Sequence, residues 1–563
     1  MLFAVRSAAS RQRLVTIFAL VALVLAVPVM AADPYIEDGR LVFPPGTVLP
    51  RYMTEAERQY LEANPPAVTR AVTPPPTGPI HCAAEYEPMA AILLNWQSYT
   101  SIISQMAKEI TTTGNADVYV VLTSAGSQSS ASSTLTSAGA NMSRVKFRTQ
   151  FTDSVWIRDY GPRYIFEGDC RAVVDHTYNR PRPNDDAFNA PWATWVGHAF
   201  YQLPLRHGGG NYHLDALNHS FATRLITNEN VGLTEAQIIG YWQSYQNVDT
   251  HLFTPFPTSV DSTQHIDMWM QVIADDKVII SDWPLQSGST QDGICDAAAV
   301  YMADQGYTVY RTPAYRSSTV HYTFTNVVMC NDLVLVPSFT NSTIVNNNYN
   351  ATALATWQNA LPGKTIKQIN CEGMINAAGA MHCIAIHIPA PRGGVNPTAY
   401  LKTLRGGESL TPAATADIRW ISDDDVAVTS INLDLSTDAG ATFPISVAIE
   451  TAADGQFTWT VPNLNTSHAR LRVTARDASG NTGSDASPVS FSIGTGHPGD
   501  ADGDGDVDDA DTARFTACMF GPDLAPAPEA PDTPESCLEL FDFDADNDVD
   551  LADALEYTVF YTQ

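Results

Sequence analysis

Residues 163–175 read RYIFEGDCRAVVD: an apolar run, a polar turn at Gly168 and Asp169, and a second apolar run. Strand, short turn, strand is the pattern of a β-hairpin. The pattern returns as MWMQVIADDKVIISD at 268–282 and as NVVMCNDLVLVPS at 326–338. A polar group stands just before or at the start of each copy: Asp159, then His265 and Asp267, then Asn326. Such a repeat suggests similar units set in a ring, each presenting polar residues to a shared centre. A run of unrelated hairpins would read the same way. Between the copies, apolar stretches such as MAAILLNW and DVYVVLTSA alternate with helix-like ones such as SIISQMAKEI. The expected class for residues 81–395 is therefore mixed α/β.

The flanks have other textures. Residues 1–32 carry Arg6, Arg11 and Arg13, an apolar run from Leu14 to Val29 and small residues at Ala31 and Ala32. This is the layout of an export signal, so a secreted, periplasmic or cell-surface protein is expected, with no membrane span once the signal is removed. Residues 33–80 are Pro-rich and read as an extended lead-in. Residues 400–494 hold short alternating strands bounded by Asp, Gly and Asn, as in an immunoglobulin-like β-sandwich.

Residues 497–563 hold nineteen acidic side chains against Arg514 alone, much of the net charge of −30. Two stretches there match, DADGDGDVDDAD from Asp500 and DFDADNDVDLAD from Asp542. Asp500, Asp502, Asp504, Asp506, Asp508 and Asp511 in the first correspond to Asp542, Asp544, Asp546, Asp548, Asp550 and Asp553 in the second. This is the ligand spacing of a calcium loop, with position seven giving its main-chain carbonyl. The paired loops, each running into an apolar segment, resemble a dockerin, which implies Ca²⁺ in the tail and a cohesin-like partner. So acidic a chain is a poor nucleic-acid binder, because that task needs a basic footprint.

Eight cysteines are present and none lies in a C-x-x-C pair, which disfavours a thiolate zinc site. Cys518 and Cys537 flank a Pro-rich insert and could close a loop. Cys383 sits in GAMHCIAIHIP, before an apolar strand. Alone, it reads as a core thiol as readily as a nucleophile.

Asp159, His265, Asp267 and Cys383 together are the parts one reaction requires. Asp159 stands in a strand-like context beside a Gly-Pro turn. His265 and Asp267, two apart on a presumed strand, would share a face. HGGGN at 207–211 would let backbone approach a ligand closely. A guanidinium presents a planar fork of five donors, which two carboxylates can grip. Its carbon needs a strong nucleophile such as thiolate, and the departing ammonia needs a proton from a histidine.

WIRDYGPRY, YNRPRPNDD, HGGGN, QHIDMW and GAMHC, in that order over residues 80–390, resemble the Porphyromonas-type peptidylarginine deiminase and agmatine deiminase family. The resemblance implies a five-bladed α/β propeller, the pentein fold, followed by an immunoglobulin-like domain. It implies that Asp159 and Asp267 bind the guanidinium, that His265 is the general acid and base, and that Cys383 forms a covalent thiouronium adduct. Trp156 would pack along the substrate's aliphatic stem and Asn326 would line the pocket. No cofactor is implied for catalysis. Arg180 and Arg182 resemble a clamp for a peptide's C-terminal carboxylate, although pairing with Asp185 and Asp186 is the alternative. The substrate expected is arginine in a peptide or protein. The alternatives are an agmatine deiminase and a non-catalytic surface-docked binding protein. Ala377 and Ala378 depart from the polar or glycine-rich approach to the cysteine that the family leads one to expect.

Overall fold

Five sheets in the computed structural model repeat one order: two antiparallel strands, then a third running parallel to the second. The first is Arg163–Glu167, Cys170–Tyr178 and Ala199–His207, with Ile80–Cys82 added at its edge. The second is His213–Leu214, His219–Thr223 and Asp249–Phe253. The third is Met270–Ala274, Lys277–Asp282 and Thr308–Pro313, and the fourth is Val328–Cys330, Leu333–Ser338 and Thr365–Asn370. The fifth joins distant parts of the chain. Ala385–Pro389 pairs antiparallel with Met89–Asn95, which runs parallel to Asp117–Leu122 and through it to Val145–Thr149. A parallel neighbour needs a crossover, and helices supply it, among them Glu235–Gln246, Thr290–Asp304, Asn350–Ala360 and Thr100–Thr112. The arrangement is mixed α/β with many sheets and no closed barrel.

The structure describes residues 33–44, 46–65, 72–318, 320–494, 499–502, 506–529 and 532–561. The expected export signal lies outside them. Among the described residues no helix is long and apolar enough to cross a membrane.

The lead-in is more than an extended strap. It forms a hairpin, Tyr35–Glu37 with Arg40–Val42, and a helix, Glu55–Ala63. A capping box fixes the helix start: Glu57 N–H donates to Thr54 Oγ1, and Thr54 N–H donates back to the Glu57 carboxylate. Composition alone hid this, because prolines cluster on either side of the helix.

Residues 398–493 form two sheets. Thr398–Leu401, Thr415–Asp423 and Gln456–Thr460 make one, and Val428–Ser436, Ile445–Thr451, Thr466–Asp477 and their neighbours make the other. Trp420, Trp459, Leu433, Leu471 and Val473 fill one shared core, as in a sandwich. Asp423 joins it to the first of the five sheets through a buried pair with Arg171 at 2.8 Å. In the tail, helices Asp509–Cys518, Pro534–Phe541 and Leu551–Phe560 pack around Phe515, Phe541 and Tyr557, and Cys518–Cys537 is a disulfide.

Candidate active site

The segments that lead into the first strands of the repeats converge. Asp159 precedes the first strand of the first sheet, Asp267 that of the third, Asn326 that of the fourth and Cys383 that of the fifth. All four side chains are buried, as is His265. None sits on a strand as expected: Asp159 lies in the short helix Ile157–Tyr160, Asp267 in the 3₁₀ turn Ile266–Met268 and Cys383 in the 3₁₀ turn His382–Ile384. His265 is the residue before its turn, so the shared-face argument for His265 and Asp267 does not hold. Tight turns at the strand entrances bring these side chains together, whereas successive side chains on a pleated strand alternate between its two faces.

A guanidinium fills the centre, and it belongs to the chain itself. Arg51 Nε and Nη2 donate to Asp159 Oδ2 and Oδ1, both at 2.9 Å. Nη1 donates to Asp267 Oδ1 at 3.1 Å and Nη2 to Asp267 Oδ2 at 2.9 Å, while His265 Nδ1 lies 2.7 Å from Nη2. Arg51 is fully buried. Burial opposes its charge, but Asp159 and Asp267 outweigh it and hold the guanidinium above the usual arginine range. Burial likewise opposes both carboxylates, yet Arg51 holds them below the usual carboxylate range.

The Gly-rich turn makes room for this. A Cβ on Gly210 would lie 1.9 Å from Arg51 Nη2 and 2.7 Å from Asp267 Oδ2, and one on Gly208 would lie 2.8 Å from the His265 ring. Gly210 N–H also donates to Asp159 Oδ1 at 3.1 Å.

Asn326 organises the cysteine. Its Oδ1 accepts from Ala380 N–H and His382 N–H, and its Nδ2 lies 3.1 Å from Cys383 Sγ. Cys383 Sγ also stands 3.8 Å from Asp267 Oδ2. Burial pushes the thiol well up, and the two carboxylates add to that, while the Arg51 guanidinium pulls it down.

Trp156 is buried, and its Nε1–H donates to the Leu49 carbonyl at 2.8 Å. Arg180 Nε donates to the carbonyl of Arg51 at 3.3 Å. Arg182 donates to Glu57 at 2.7 Å and to the carbonyls of Pro50 and Tyr52. The Asp185 and Asp186 carboxylates accept from the main-chain N–H groups of Asp153, Ser154 and Tyr178, and Asp186 N–H donates to the Arg182 carbonyl at 3.0 Å. Ala377, the first of the two unexpected alanines, accepts from Arg51 N–H at 3.0 Å. Ala378 takes φ +64°, a left-handed conformation in which glycine would be at ease.

Sequence reasoning missed four participants. Besides Arg51, these are His382, Glu85 and Arg158. His382 Nδ1 lies 2.9 Å from Asp267 Oδ2 and its Nε2 2.9 Å from Glu85, which pairs with Arg158 at 2.8 Å. Burial opposes the Glu85 charge, but Arg158, His382 and His387 keep it well below the usual range. This chain of groups orients Asp267 from behind.

The model of the Porphyromonas-type peptidyl-arginine deiminases matches residues 81–389, more than half of the 563-residue chain. The chain belongs to that family. The family is one of deiminases, hydrolases acting on the C–N bonds of amidines. A deiminase relative in Vibrio parahaemolyticus, provisionally named agmatine deiminase, is 24% identical over 285 residues, covering 43% of this chain and 76% of its own. Among solved structures, the agmatine deiminase of Enterococcus faecalis has a TM-score of 0.48 at 17% identity, covering 55% of this deiminase and 96% of its own chain. A Porphyromonas gingivalis protein provisionally titled arginine deiminase also has a TM-score of 0.48 at 17% identity, covering 56% and 99%.

In the tail, Asp542, Asp544 and Asp553 bring carboxylate oxygens within 4.8 Å of one another, as do Asp548, Asp550 and Asp553. Asp500, Asp502 and Asp511 do the same, and so do Asp506, Asp508 and Asp511. Asp504 lies outside the described residues. Asp544 Oδ1 is buried without a partner. Asp548 Oδ1 is likewise buried without a partner, while Asp548 Oδ2 accepts from Asp523 N–H. All-oxygen donors with an unpartnered buried carboxylate oxygen fit a hard cation.

Proposed function

We propose that this protein hydrolyses the guanidinium of arginine in peptides, with peptides ending in arginine preferred, to citrulline and ammonia. The carrying observation is that Arg51, an arginine within a peptide, sits between Asp159 and Asp267 while Arg180 and Arg182 hold main-chain carbonyls around it. In this reading the two carboxylates orient the planar cation. Cys383 Sγ attacks its carbon, with the proton lost by the thiol reaching the departing nitrogen through His265, and ammonia leaves a thiouronium on Cys383. Water then adds, the C–S bond breaks, and the thiol is restored. Trp156 and Asn326 position the peptide and the cysteine loop. Agmatine has no carbonyl or carboxylate for Arg180, which makes agmatine deimination the second reading; the Vibrio relative's name is what favours it.

Side-by-side turnover of a peptide ending in arginine, free arginine and agmatine tests this. Arg180→Ala is expected to lower kcat/KM about 10- to 100-fold on the peptide, the worth of one charge-assisted hydrogen bond of about 1.5–3 kcal/mol, and to spare agmatine. An unchanged peptide rate would remove the clamp. No ammonia from any of the three would sink the enzyme reading and leave the surface-docked binder.

We also propose that the pentein propeller describes the ring of sheets, that the sandwich is immunoglobulin-like, and that the tail is a dockerin-like calcium module with a cohesin-like partner. Support comes from the repeated strand order, the two-sheet core and the paired acidic loops. Export to the cell surface or beyond rests on residues 1–32 alone.

A further inference from the structure

We propose that Arg51 is this enzyme's own modification site: residues 49–52 lie in the peptide-binding groove as a tethered substrate, and Cys383 deiminates Arg51 within the same molecule. The proposal rests on the deiminase reading above and goes beyond it.

Three observations carry it. Every nitrogen of the Arg51 guanidinium is engaged: Nε by Asp159, Nη1 by Asp267, and Nη2 by both carboxylates with His265 Nδ1 beside it. Nη2 is thus the nitrogen placed to receive a proton and leave. The main chain on either side is held as a substrate peptide's would be. Leu49 O accepts from Trp156, Pro50 O and Tyr52 O from Arg182, and Arg51 O from Arg180, while Arg51 N–H donates to Ala377 O. Finally, the segment is anchored beyond the site by the helix Glu55–Ala63, whose Glu57 forms a fully buried pair with Arg182. A structural ion pair would need the guanidinium. It would not need four successive residues laid along the arginines and indole that line the groove.

The reaction balances with water as the sole co-reactant. Sγ bonds to Cζ, the thiol proton passes to Nη2, and the Cζ–Nη2 bond breaks to release ammonia. Water adds to Cζ, one of its protons returns to sulfur as the Cζ–Sγ bond breaks, and the other converts ammonia to ammonium. Residue 51 becomes citrulline, a neutral urea that no longer offers Asp159 and Asp267 a cation. Tethering makes the step unimolecular, with a half-life independent of enzyme concentration.

The experiment is peptide mapping by mass spectrometry of the full chain, wild type against C383S and C383A, with turnover of an added arginine peptide measured on the same wild-type sample. Citrulline at position 51 in the wild type, arginine in both variants, and a conversion rate unchanged on tenfold dilution are expected. Arginine at 51 in a wild-type sample that does turn over the added peptide would overturn the inference while leaving the deiminase reading standing. Conversion that slows on dilution would overturn its intramolecular form. A wild type inert toward both Arg51 and added peptide would instead fail the underlying reading. The wild-type comparison stands even if one variant does not fold.

Discussion

At Cys383 three influences meet: burial and two carboxylates hold the proton on sulfur, and a bound guanidinium draws it off. The thiol is therefore at its least ionised when no cation is bound. Replacing Arg51 by Ala removes that cation, so alkylation of Cys383 by a neutral reagent should climb with pH into the alkaline range. Adding an inert guanidinium or amidine ligand should move the ionisation to lower pH. A plateau below neutrality in the ligand-free variant would contradict this sign. The cysteine, the two carboxylates and the histidine that meet here were legible as residue types in their motifs. Their directions were not, since a 3₁₀ turn and a strand share the same few letters. Arg51 was illegible for another reason. Only the fold shows that a residue 108 positions from Asp159 and 216 from Asp267 lies between them.

The helix Glu55–Ala63 holds the tethered segment by one buried pair, Arg182 with Glu57, both inaccessible to solvent. Removing one partner of such a pair leaves an uncompensated charge and costs about 3–5 kcal/mol. Glu57→Ala should loosen residues 49–63, read as faster amide hydrogen exchange there, and raise the initial rate on an added short peptide. Exchange unchanged from wild type would show that the segment is held elsewhere. The Thr54-x-x-Glu57 capping box is a helix start written in the sequence, but the prolines around it give the segment the composition of an extended strap. Hairpins were readable where two apolar strands of three or more residues follow each other directly, at 163–178, 270–282 and 328–338. The second sheet escaped because its first strand has two residues, and the fifth because its hairpin partners lie some 290 positions apart.

Across the whole molecule, charge divides the labour. The catalytic domain pairs the charges at its centre with one another, whereas the tail gathers carboxylates into clusters with the donor set of a cation site. Calorimetric titration of the full chain with calcium should show binding at or below about millimolar concentration. Asp553→Ala should abolish the second loop's share. Chelation should leave turnover of an arginine peptide unchanged, and a rate that falls with chelation would tie the metal to catalysis instead. The sandwich and acidic loops were visible as changes in composition. The Arg171–Asp423 link between ring and sandwich was not, because its two partners carry no motif.

The pairing of Ala385–Pro389 with Met89–Asn95 sets a timetable for the nascent chain. Contacts so distant in sequence form slowly, because a long loop must close first. The strand carrying the thiol-bearing turn is the last of the ring to be synthesised, after Arg51 and both carboxylates. Until it docks, Met89–Asn95 has an open edge and Cys383 is not held beside Asp267 and Asn326. Ring closure and assembly of the reactive centre are thus one event, and an unfinished chain has no working site.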